Sequence, residues 1–187
     1  MGLSLYREVG DRVLISTALS NLGRAALYQR KDEQAQKLFE EALELGRAAN
    51  DRWTIAYALS GLGRLAGRQG DVEKGRALLV ESLALFEHVR DRRSVGRSLL
   101  ALARIESRAG HGARAARMVG AASAINESLG IIHTPPYVPE REAILSGARS
   151  QLGEEAFQAA INAGQGMSIE QMCKIRKRER SHCTIAA

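Results

Sequence analysis

The chain copies itself every 40 residues without a gap, and this constrains its fold more than any other feature. Ala18-Leu19-Ser20-Asn21-Leu22-Gly23-Arg24 returns as Ala58-Leu59-Ser60-Gly61-Leu62-Gly63-Arg64 and again as Ser98-Leu99-Leu100-Ala101-Leu102-Ala103-Arg104. The preceding pair Asp11-Arg12 returns in the same register as Asp51-Arg52 and Asp91-Arg92. Such a period marks a repeat array, in which each unit is too small to bury its apolar face alone and must lean on its neighbours.

Within each unit the apolar residues recur at helical spacing. A first helix carries the stripe Leu19, Leu22 and Ala26, then Leu59, Leu62 and Ala66, then less cleanly Leu99, Leu102 and Glu106. Gly23, Gly63 and Ala103 lie in these stripes and let a second helix approach closely. Turns follow at Arg30-Lys31-Asp32, Gly70-Asp71 and Gly110-His111-Gly112. The second helix then carries Ala35, Leu38, Phe39, Ala42 and Leu45, with matching stripes of mixed large and small residues one and two periods later. Asp11, Asp51 and Asp91 read as caps of the first helices, since a carboxylate there accepts from free first-turn amides and opposes the helix dipole. Leu5 and Val9 occupy the places of Leu45 and Ala49, so residues 3–10 read as the last turns of an earlier second helix. The chain is therefore expected to be a piece of a longer protein.

The register is lost from Ile131. His133 to Pro139 is expected to be a loop, because its prolines restrict each preceding residue as well. A helix is expected to resume near Glu140 and stop at Gly153, and another to run from about Glu154 to Ala163 and end at Gly164. Ser168-Ile169-Glu170-Gln171 has the form of a capping box that opens a short helix. The resulting division is helical repeats over 1–130 with a truncated first unit, a loop and capping helices over 131–172, and a basic tail over 173–187 expected to be disordered.

A helix-turn-helix unit with Leu-x-x-Leu-Gly in its first helix and Ala35, Phe39 and Ala42 in its second resembles the tetratricopeptide repeat. That family has a usual period of about 34, and the extra residues here are expected to lengthen the second helix and the connection. The resemblance implies an all-α solenoid of antiparallel helix pairs closed by C-terminal capping helices. Ala115 to Ala122, the Pro135-Pro136 loop, Leu152 to Phe157 and Gly164 to Gln171 resemble the end of the repeat domain in large bacterial ATP-binding transcriptional regulators of the LuxR and SARP kinds. The likeness covers roughly residues 3–172. It implies an upstream nucleotide-binding domain, although no phosphate loop of the Gly-x-x-x-x-Gly-Lys-Ser/Thr form is present here.

In a stacked array of this kind the first helices line the concave face. Arg24, Arg64 and Arg104 follow the small core residue of each unit, and Tyr28, Arg68 and Arg108 lie one turn further along the same face. Tyr57 and Arg97 stand one turn before Gly61 and Ala101. These eight residues predict a basic groove with two tyrosines at its rim, suited to carboxylate or phosphate because guanidinium donates two parallel hydrogen bonds. The opposing expectation is that the arginines are solvated or paired with nearby glutamates.

Charge offers one further candidate, the tail. The net charge of +6 includes +4 from Lys174 to Arg180, and the first 173 residues hold 22 basic against 20 acidic side chains. The tail has no aromatic, no zinc-ligand spacing and no recognition helix after it. Cys173 and Cys183, with His182, lack the four ligands of a structural zinc site and read as ordinary thiols. His88, His111 and His133 are scattered with no nucleophile beside them, so neither a catalytic nor a metal site, nor any cofactor, is assigned. With 8 aromatics and 2 cysteines in 187 residues, the composition also argues against a disulfide scaffold and an all-β sandwich. No run of about 18 apolar residues and no signal core occurs, which points to the cytoplasm.

The function expected from the sequence is that of a non-enzymatic interaction module in a regulatory, signal-transducing protein. Its partner would be a protein or peptide segment, an acidic one included, or another domain of the parent chain. The alternative is a nucleic-acid-binding protein that uses tail and groove together.

Overall fold

A computed structural model describes residues 10–131, 137–168 and 170–171. Among them eight long helices follow one another: α1 (Arg12–Tyr28), α2 (Asp32–Ala48), α3 (Arg52–Gln69), α4 (Val72–His88), α5 (Arg92–Arg108), α6 (Gly112–Ser128), α7 (Tyr137–Leu152) and α8 (Glu154–Gln165). No strand occurs among the described residues. First helices start at Arg12, Arg52 and Arg92 and second helices at Asp32, Val72 and Gly112, so the structure keeps the sequence period. The protein is an all-α, tetratricopeptide-like solenoid.

The second helices are long, as expected, but the connections are not, and the first helices are as long as the second. Five of the six repeat helices have 17 residues and α3 has 18. Connections of only two or three residues join them, within units and between units alike. Both helices are long and neither connection is.

The reason is a stop signal that sequence reading found only in part. Every twentieth residue takes a left-handed conformation: Gly10, Arg30, Asn50, Gly70, Arg90, Gly110 and Gly130, with φ between 52° and 93°. From position 31 onward the residue after each of these donates its N–H to the carbonyl five positions back, as in Asp51 to Gly46 and Asp91 to Phe86 at 2.9 Å. This closes the end of a helix by satisfying one of its orphan carbonyls. Asp51 and Asp91 then turn their side chains to the next helix, accepting from Trp53 and Thr54 and from Ser94, and Asp11 does the same for Val13 and Leu14. The three aspartates are caps, as the sequence indicates. A side chain bearing Cβ is strained at a left-handed position by roughly 1–2 kcal/mol, partly offset by the greater unfolded-state freedom of glycine. Arg90→Gly is therefore expected to stabilise the chain by about 0.5–1 kcal/mol, read as a higher melting temperature, whereas Arg90→Val is expected to lower it.

The stripes pack largely as read. Leu19, Leu59, Leu99 and Leu102 are buried with Ala26 and Ala66, and Phe39, Leu79 and Val119 answer them from the second helices. The ring of Phe39 lies where side chains at Gly23 and Gly61 would stand: an added Cβ would be 2.9 Å and 2.3 Å from it. Leu22 departs from the expected stripe and is 45% exposed. Its counterparts Leu62 and Leu102 pack in clusters that include α2 and α4 residues. The segment that would correspond for Leu22 is residues 1–9, outside the described residues, as are Leu5 and Val9.

At the other end α8 lies across α6 so closely that a Cβ at Gly120 would be 2.1 Å from the Ile161 carbonyl oxygen, and one at Gly164 would be 1.9 Å from that of Arg117. Gly164 thus belongs inside α8, which continues to Gln165, rather than ending it. α7 starts at Tyr137, earlier than Glu140, because Pro139 in a first turn has no intrahelical N–H to lose. Gly153, at φ 77°, separates α7 from α8 as expected. The capping box is formed: Ser168 N–H donates to Gln171 Oε1 at 2.8 Å, and Gln171 N–H donates to Ser168 Oγ at 3.2 Å. His133, Cys173, His182, Cys183 and the basic tail lie outside the described residues. No described helix is long and apolar enough to cross a membrane.

Candidate functional site

α1, α3 and α5 pack side by side, so the first helices share one face. On each, the small residue against the second helix fixes the rotation, and the arginine that follows it, about 100° further round, comes to that shared face. The structure brings all eight residues singled out from the sequence to two adjoining hollows there. Arg24, Tyr57 and Arg97 line the first, a narrow hollow of about 40 Å³. Arg68, Arg104 and Arg108 line the second, of about 470 Å³ and open to solvent, and Tyr28 and Arg64 border both.

The first hollow is mostly aromatic and aliphatic, with Phe39, Phe86 and Leu27 in its wall. Tyr57 was expected at the rim; it is 8% exposed and packs into the floor. Its ring meets Trp53 at 5.0 Å and Phe86 edge-on at 6.5 Å, which leaves little room for the side chain to face solvent. The guanidinium carbons of Arg24 and Arg97 each stand 5.8 Å from the Tyr57 ring centre, at cation–π range. Arg97 also donates to Ser94 Oγ at 2.7 Å. Trp53 plugs the junction between units: its Nε1–H donates to Asp91 Oδ2 at 2.9 Å, linking the second unit to the cap of the third. Hydrogen bonds from Ser94 and Trp53, with Arg97 nearby, hold Asp91 below the ordinary carboxylate range although burial acts the other way.

The second hollow is a guanidinium cluster. Arg68 is tied into the scaffold, donating to the Leu27 carbonyl at 2.8 Å at the end of α1 and pairing with Asp32 at the start of α2. Arg64 and Arg104 converge on one carboxylate, Glu140 of α7, at 3.6 Å and 3.4 Å. Burial lowers Arg104 from the usual guanidinium value, and Arg64, Arg108 and Arg68 push the same way against the pull of Glu140. Arg68 is lowered as well, first by burial, with Asp32 opposing.

Two members of this cluster escaped the sequence reading. Arg30 lines the hollow from a connection, and the left-handed position it occupies every twentieth residue was the available signal. Glu140 comes from beyond the repeats, where no register existed to place it.

Away from the groove, Glu106 is buried in the position that Ala26 and Ala66 hold in the other units. It accepts from Arg76 Nε at 2.6 Å, and His111 Nδ1 and Arg114 lie 2.8 Å and 3.5 Å from its other oxygen. Burial raises the Glu106 carboxyl, but the hydrogen bond and charge of Arg76 outweigh it and hold the group below its ordinary range. His111 thus serves this cluster, and His88 sits on the exposed outer surface against Arg52. Among the described residues no group of three or more His, Cys, Asp and Glu side chains is placed to hold a metal.

Residues 16–52, from within α1 to the first residue of α3, match the tetratricopeptide repeat family. No curated protein and no solved structure matches the chain.

Proposed function

We propose that this chain is an interaction module that holds an acidic segment of a protein partner along the shared face of α1, α3 and α5. Tetratricopeptide repeats generally mediate protein–protein interaction, and a window of this chain matches them. The observation that carries the reading is the second hollow: Arg30, Arg64, Arg68, Arg104 and Arg108 line it, with Glu140 the one acidic residue in its wall among the described residues. Guanidinium groups that are partly desolvated and crowded by like charge gain most from a carboxylate that each can engage through two hydrogen bonds. The apolar hollow beside them favours a peptide, which brings apolar side chains, over a bare phosphate backbone. The module acts by binding and carries out no reaction. The likeness of its closing segments to those of bacterial ATP-binding regulators supports a cytoplasmic regulatory chain as its setting, with a second protein or a domain of that chain as the partner.

Hexaglutamate peptide titrated into the full chain tests this, with fluorescence of Trp53, the chain's one tryptophan, as a reporter stacked on Tyr57. Binding is expected at low salt, weakening as salt rises. Arg108→Ala, at an exposed position, is expected to weaken it by about tenfold, the scale of one charge-assisted hydrogen bond. Peptide affinity unchanged in Arg108→Ala would overturn the groove reading. Tight binding of a short DNA duplex with a steep salt dependence, and none of the peptide, would replace it with the nucleic-acid alternative.

A further inference from the structure

The groove described above already contains a carboxylate, and that carboxylate belongs to the chain itself. Glu140 sits in the first turn of α7, among the residues lining the second hollow. It lies between Arg64 and Arg104, on two different repeats, where a ligand carboxylate would bridge the same pair.

The fit is loose. The two nitrogen–oxygen distances, 3.6 Å and 3.4 Å, exceed those of good charge-assisted hydrogen bonds, which fall near 2.7–2.9 Å. Both Glu140 Oε1 and Arg104 Nε are buried and lack a hydrogen-bond partner. Arg104 has instead a long 3.4 Å contact to the Arg64 carbonyl. Buried polar atoms held this way keep most of their desolvation cost, so a carboxylate free to approach from the open hollow makes shorter bonds than one restrained by its helix. Leaving is also easy for the occupant. α7 packs less extensively on α5 than on α6, so displacing its first turn from the groove leaves its larger contact, with α6, in place.

We propose that Glu140 is a tethered occupant of the groove's anion position, and that an acidic partner segment binds by displacing the first turn of α7 from Arg64 and Arg104. The inference rests on the reading of the groove as an acidic-peptide site. Its consequence is that the free module holds its own affinity down, since a ligand must compete with an internal group that is always present. Partner binding then moves α7, so occupancy of the groove is transmitted to the end of the array.

The test is hexaglutamate titration into the full chain and two variants. Glu140→Gln keeps shape and removes the competing charge, and is expected to tighten binding by about tenfold. Glu142→Gln removes the same charge from an exposed position on the same helix and is expected to leave affinity within about twofold of the parent, as weak exposed charge effects do. Hydrogen exchange supplies a readout that a simple change of net charge would not move: saturating peptide is expected to speed exchange at Ala143 and Ile144 in the parent chain. If the parent binds in an Arg108-dependent way but Glu140→Gln binds no more tightly, or α7 exchange is unchanged, displacement is overturned and the groove reading survives. If neither parent nor Glu140→Gln binds peptide, both fall together.

Discussion

Phe39→Ala is expected to lower the unfolding free energy by about 3–5 kcal/mol, the scale of removing a buried aromatic from a packed core. The upper end is expected because of what surrounds the ring. Phe39 is 1% exposed and fills a slot bounded by Gly23 on α1 and Gly61 on α3, neither of which has a side chain able to move into the space. The cavity left behind would sit where two units meet, so the loss falls on the contact that makes the array. Gly61→Ala probes the same slot from the opposite side: its Cβ would stand 2.3 Å from the Phe39 ring and is expected to cost roughly 1–3 kcal/mol by overpacking. In a Phe39→Leu background the cost of Gly61→Ala should shrink, since residues that share a cavity couple. Urea unfolding of the four proteins measures this, and independent, additive losses would contradict the slot.

Glu106→Ala is expected to cost a comparable 3–5 kcal/mol for a different reason: it leaves Arg76 charged and without its main partner in a buried place. Replacing Glu106 and Arg76 together by leucine should recover much of that loss, because burying neither charge removes the desolvation cost of both. The pH dependence follows from the lowered carboxyl. In the unfolded chain a glutamate titrates near about 4.3. The stabilisation from ionised Glu106 is therefore complete above that pH and disappears as pH falls through the lower folded value. Glu106→Gln should flatten the stability curve in that acidic window. Equal steepness in parent and variant below about pH 4.3 would show that Glu106 is not held ionised by Arg76.

How far the sequence could be read depends on what repeats. The capping aspartates, the small residues that admit a second helix and the arginines that follow them each occur once per unit, so a pattern seen three times fixes their roles. Phe39, Leu79 and Val119 are buried where the second stripe puts them. Single occurrences are opaque. Leu22 looks like Leu62 and Leu102, yet it is 45% exposed while Leu102 is buried. Glu106 breaks an apolar stripe, and only the spatial approach of Arg76 from the preceding helix explains a buried charge there. Gly164 reads as a helix end, but it is a point of backbone contact inside one. For the groove, helical geometry brings the eight repeat-borne residues to one face, but it did not show that Tyr57 packs into the floor rather than standing at the rim. Glu140 was not legible, since the position of α7 is decided by packing on α5 and α6 and no local pattern encodes it.

Recognition along the shared face of the first helices is the central claim, and backbone chemical-shift mapping of the full chain with hexaglutamate tests it most directly. The largest perturbations are predicted on α1, α3 and α5 near Arg64, Arg104 and Arg108, with α7 following. Perturbations gathered on the outer surfaces of α2, α4 and α6 would contradict it.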